Sequence, residues 1–170
     1  MRRIKLSITG VIVCLALSAC EGGRTGLSQP ASNAEVAAAK VINCPIAFST
    51  TYAERNSVNG LDVMITWKNI SGKDLKYVYM EVGFKNAVND WVDSDISNKN
   101  SEIIKFTGPI SDGENHWGGW DGKHPAVMYS PEAKTIHIKK VWVDYMDGTK
   151  SEVIDTSNLM SSFGEIGSKP

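Results

Sequence analysis

The stretch LDVMITWK, residues 61–68, alternates with period two: Leu61, Val63, Ile65 and Trp67 share one side, and Asp62, Thr66 and Lys68 the other. Only an extended strand sets every second side chain on the same face, so this segment requires a sheet with one buried surface. The same pattern returns at 75–85, where Val78, Met80, Val82 and Phe84 form one face and Tyr77 and Tyr79 the other. Ser71, Gly72, Lys73 and Asp74 supply the turn between them. Further strands are expected at 46–53, 102–107, 126–129 and 135–145.

The last of these contains a phase slip. Ile136 and Ile138 point one way, while Val141, Val143 and Tyr145 have the opposite parity. One extra residue near Lys139 and Lys140 brings both halves onto the core face, which predicts a β-bulge there. Asp147-Gly148 then reads as a tight hairpin turn, with 149–154 returning as the partner strand. Strands at turn-marked spacing, with no long helical pattern, predict an all-β fold, an antiparallel β-sandwich of about seven strands over residues 43–157. Leu159, Met160 and Phe163 are expected to cap one end, within a tail over 158–170 whose final residues fray.

The N-terminus carries a different signal. Arg2, Arg3 and Lys5 precede an apolar run from Ile8 to Ala19. That run is shorter than the about 20 apolar residues a spanning helix needs, and it has the flanks of a secretory signal over 1–19. It ends in Leu17-Ser18-Ala19-Cys20, which resembles the lipobox of bacterial lipoproteins. The resemblance implies cleavage before Cys20, acylation of its thiol and of the new amino group, and attachment to a membrane through the lipid. Two or more acyl chains make such attachment stable. Glu21 in place of aspartate leans towards the outer membrane, by analogy with enteric sorting. Residues 20–42 are small and polar beyond the cysteine and are expected to form a flexible tether.

Loss of Arg2, Arg3 and Lys5 with the signal would leave 15 of the 18 basic residues against 19 acidic ones. That mild acidic excess offers no footprint for nucleic acid, which calls for a clustered basic face. Of the three cysteines, Cys14 leaves with the signal and Cys20 carries lipid. Cys44 then stands alone, without an internal disulfide, and is expected as a buried small hydrophobe at a strand start.

Several ordered segments also resemble one family. Trp67-Lys68-Asn69, Leu75-Lys76-Tyr77-Val78, the 85–90 stretch KNAVND, Thr107-Gly108-Pro109-Ile110, a tryptophan pair and the 143–149 stretch VDYMDGT are similar to small immunoglobulin-like domains of the FxLYD type. These occur in secreted and lipid-anchored bacterial proteins. The resemblance spans about residues 61–149 and implies an immunoglobulin-like sandwich used outside the cytoplasm as an accessory or binding module, with no catalytic residues.

The most chemically loaded segment is HWGGWDGKH, residues 116–124. A phosphate loop fails, because Gly122-Lys123 is followed by His124 and Trp117 stands where the first glycine belongs. His116, Asp121 and His124 carry zinc-type donors, but a loop histidine pair without cysteines is usually solvated, so no metal or other cofactor is expected. His137, between Ile136 and Ile138, should point outward. Asp90, Asp93, Asp95 and Glu102 suggest calcium, yet counting from Asp93 puts Asn98 where an EF-hand loop has glycine and Ile104 where it has its last ligand. The segment is read as a glycine-rich turn before the strand at 126–129. Trp67 and one of Trp117 and Trp120 are expected in the core. Trp117, Trp120 and Asp121 are the candidate partner-binding residues.

The resulting expectation is a non-enzymatic envelope lipoprotein carrying one binding or structural module, with a protein partner in the envelope. An immunity or inhibitor lipoprotein against a toxin is the alternative. A small envelope hydrolase or metal-dependent enzyme is the reading from another class.

Overall fold

The computed structural model describes residues 29–120 and 128–168. The signal segment, Cys20, Asp121 and His124 lie outside the described residues. Among the described residues the fold is all-β apart from one short α-helix, α1 (Asn33–Val41), and a single 3-10 turn at Met160–Ser162. Its strands are β1 (Ile46–Arg55), β2 (Leu61–Asn69), β3 (Leu75–Lys85), β4 (Trp91–Val92), β5 (Ser101–Ile110), β6 (Asn115–Trp120), β7 (Thr135–Tyr145), β8 (Ile154–Asp155) and β9 (Phe163–Ser168).

The strands form one curled sheet in the order β4-β3-β7-β9-β1-β2-β6, with β5 also on β3 and β8 on β7. Among the described residues all pairings are antiparallel except β1 with β9, where Ala53, Glu54 and Arg55 run parallel to Ile166, Gly167 and Ser168. The expected arrangement of purely antiparallel strands is therefore corrected by one parallel pair. β9 joins the β1–β2–β6 half to the β3–β7 half, because it also pairs antiparallel with β7 from Thr135 to His137.

The curl brings the period-two faces together. Leu61, Val63, Ile65 and Trp67 of β2 are buried, as are Val78, Met80, Val82 and Phe84 of β3 and Ile136, Ile138, Val141 and Val143 of β7. Trp67 meets Phe106 of β5 across this core, ring centroids 5.8 Å apart and edge to face. The bulge expected near Lys139 is present: Glu81 faces Lys140 and Val82 faces Ile138, which leaves Lys139 as the extra residue. At the next turn Gly148 has φ +86°, and the Tyr145 N–H donates to the Thr149 carbonyl at 2.9 Å. Beyond that turn the partner strand is shorter than expected: a single bridge at Lys150, then β8 alone.

Both ends of the body are more ordered than the sequence reading expects. The supposed tether ends in α1, closed by a capping box in which Ser32 Oγ accepts from the Glu35 N–H and the Ser32 N–H donates to the Glu35 carboxylate at 2.6 Å. Ala39 is buried, and Val36 and Ile42 pack against the core. The 158–170 tail contains β9, and its last two residues lie outside the described residues. Leu159 is buried as a cap, whereas Met160 and Phe163 are exposed. At 126–129, residues 126 and 127 lie outside the described residues. Met128 is buried but belongs to no strand, and its carbonyl accepts from the Leu61 N–H at 3.1 Å.

Candidate functional site

The segment expected as a glycine-rich turn begins as a strand. β6 pairs antiparallel with β2, setting His116 opposite Trp67, Trp117 opposite Thr66, Gly118 opposite Ile65 and Trp120 opposite Val63. It stands at the end of the sheet order, so among the described residues no strand covers its far edge. Alternation then sorts its residues. His116 turns inward, 5.1 Å from the Trp67 ring and 5.7 Å from the Phe106 ring. Trp117 turns outward and is 62% exposed, so it is not the core tryptophan.

Gly118 has a packing reason. A Cβ there would lie 2.9 Å from Phe106 Cε1, so only glycine lets the ring reach the β6 backbone. Strand edges are commonly guarded by charge or proline. β6 has neither, since its six residues are NHWGGW.

His116 is therefore a poor zinc donor, being half-buried against two aromatic rings. Burial lowers its pKa from the ordinary 6.5, against an opposing pull from Glu114. His137 on β7 is lowered the same way, first by burial and then by the Lys85 charge. It sits on the outer face, as expected, with its ring nitrogen 2.9 Å from the Thr135 hydroxyl. The folded chain binds fewer protons at these imidazoles than the unfolded chain. Their contribution to stability is therefore complete above about pH 6.5 and is lost as the pH falls through the lower folded values. We expect the urea midpoint to fall between about pH 7 and pH 5, and the double variant His116→Gln/His137→Gln to flatten that slope. An unchanged slope would assign the effect to carboxylates.

Cys44 is buried just before β1, and burial pushes its thiol up to about 11, which makes it an inert core residue. Asp90, Asp93 and Asp95 are exposed loop residues. Among the described residues no group of three or more His, Cys, Asp or Glu side chains is placed to hold a metal ion. Among them too, no helix is long and apolar enough to cross a membrane.

These elements define a class: an all-β domain whose most distinctive surface is an uncharged edge strand with a projecting tryptophan. No protein-family model matches the chain, and no curated protein or solved structure matches it either.

Proposed function

We propose that this chain is a lipid-anchored cell-envelope protein, attached through Cys20, whose β-rich body is a non-enzymatic binding module. The observation that carries the binding reading is β6, an edge strand without charged residues that projects Trp117 at 62% exposure. An edge of this kind offers unpaired backbone groups to an extended segment of a protein partner, and the tryptophan supplies an anchor. The lipobox-like LSAC and the resemblance to FxLYD-type modules support the envelope location and the immunoglobulin-like use of the domain.

Two measurements test this. Labelled palmitate should enter the wild type and not Cys20→Ala, and equal labelling would refute the anchor. A photo-crosslinker at Asn115, on the same strand, should trap an envelope protein in the wild type and lose most of that adduct in Trp117→Glu. The exposed substitution should leave stability within about 0.5 kcal/mol. Undiminished adducts in the folded variant would remove β6 from the binding surface.

A further inference from the structure

The β3–β7 sheet has an outer face that the core does not use, and two rows of rings cross it. In the first row the register sets Lys105 of β5, Tyr79 of β3 and Trp142 of β7 side by side. Tyr79 and Trp142 stack with centroids 5.3 Å apart and planes 6° from parallel. Lys105 Nζ lies 3.7 Å from the centre of the neighbouring Tyr77 ring and 5.6 Å from that of Tyr79.

The second row lies four residues further along β3, a distance of about 13 Å. There Gly83 faces His137, and His137 faces Phe163 of β9. A Cβ on Gly83 would stand 2.7 Å from the Asn100 carbonyl oxygen and 3.0 Å from Trp91 Cζ3, so the glycine makes room for both. Trp91 meets His137 edge-on, and His137 stacks on Phe163, each pair at 5.6 Å. Lys85 and Lys139 place their ammonium groups 4.8 and 4.5 Å from the Trp91 ring centre.

Cross-strand pairing accounts for the Tyr79–Trp142 contact as ordinary sheet stabilisation. It does not account for Trp91 and Phe163 remaining 40% and 43% exposed, or for lysines flanking both rows. This face carries Lys85, Lys105, Lys139 and Lys140, and Asp155 of β8 stands opposite Lys140. Glu81, the acid between the rows, is already held by the Ser101 hydroxyl at 2.8 Å, Lys140 at 3.2 Å and Lys139 at 3.6 Å. At the margins Asp144 is paired with Lys150 at 3.4 Å, and Glu165 faces Thr135. Among the described residues Lys105 and Lys85 have no acidic partner, and both lie beside aromatic rings.

Ring faces flanked by ammonium groups match a polymer of sugar rings bearing carboxylates. The C–H faces of the sugars pack on the aromatic surfaces while the carboxylates draw the lysines. We propose that this outer face binds an acidic polysaccharide, across the β3–β7 half of the sheet and separate from the β6 edge.

The test is titration of the full chain, in neutral detergent, with oligogalacturonate. Three comparison ligands are a neutral cello-oligosaccharide, polyglutamate and a short-chain phosphatidylglycerol. Binding is expected for oligogalacturonate above all three, weakening as salt is added. Trp142→Ala should weaken it about fivefold. Lys105→Gln leaves the rings in place and should weaken it about threefold at low salt, with a smaller effect at high salt. Failure of oligogalacturonate to bind the folded wild type overturns the proposal. Equal binding of polyglutamate reduces the face to bare charge, equal binding of the neutral sugar removes the role of the lysines, and preference for the lipid makes it a membrane surface. Each of these also overturns it.

Discussion

Gly164→Ala is expected to destabilise the fold by about 3 kcal/mol, although it adds a single methyl group. Gly164 faces Ile136 in the β9–β7 ladder, and a Cβ there would fall 1.6 Å from the carbonyl oxygen of Thr51 and 2.6 Å from its carbon. Those atoms belong to the β1 backbone, which cannot swing aside as a flexible side chain does. β9 must therefore lift away, breaking the parallel pairing from Ala53 to Ile166 and loosening the Thr51 hydroxyl bond to the Ser161 carbonyl, 3.0 Å long. Gly167→Ala is the matched control. It lies three residues along the same strand, nothing stands within 4 Å of its added methyl, and its stability should change by less than about 0.5 kcal/mol. Urea unfolding of the two variants decides the matter. Equal midpoints would mean that β9 is not a structural part of the sheet.

The second large effect is expected at Trp67, which is fully buried on β2 between Phe106 and His116. Trp67→Ala should cost about 3–5 kcal/mol, through lost burial and the cavity left behind. Trp67→Phe should cost much less than lost volume alone suggests. The Trp67 indole N–H is buried and has no hydrogen-bond partner among the described residues. An unpaired buried donor carries a penalty of about 1–3 kcal/mol, which phenylalanine removes while keeping a ring against Phe106. A phenylalanine variant as unstable as the alanine one would show that the indole N–H is satisfied.

The elements that were legible in the sequence are those whose side chains alternate strongly. β2, β3 and β7 announce themselves because large apolar residues recur along one face of each, and the bulge at Lys139 shows as a break in that parity. The helix α1 was less legible because it buries only Ala39 and shows alanines on its exposed side as well, although the Ser32-to-Glu35 spacing of a capping box was already in view. β9 and β6 were hidden by their glycines. In isolation Gly118, Gly119, Gly164 and Gly167 suggest turns and frayed chain. Two of them are glycine because a distant group comes too close for a side chain: Phe106 at Gly118 and the Thr51 carbonyl at Gly164. Such a requirement is set by partners far away in sequence, and no local pattern records it. The candidate site shared this fate. Trp117 was recognised as a possible contact, but its outward direction follows only from the register of β6 on β2. Tyr77 and Tyr79 were legible as one face of β3, but only the register sets that face beside Trp142 and the His137–Phe163 pair.

The place of β9 also bears on the timing of folding. Its residues come last among the described strands, yet they lie between β7 and β1, and β1 is the first strand of the body. The sheet therefore cannot close until some 110 residues of intervening chain have been gathered, as the Thr51-to-Ser161 contact shows. In a chain made N-terminus first, β1 and β7 emerge well before β9, so the edges it joins stay unpaired until that strand follows.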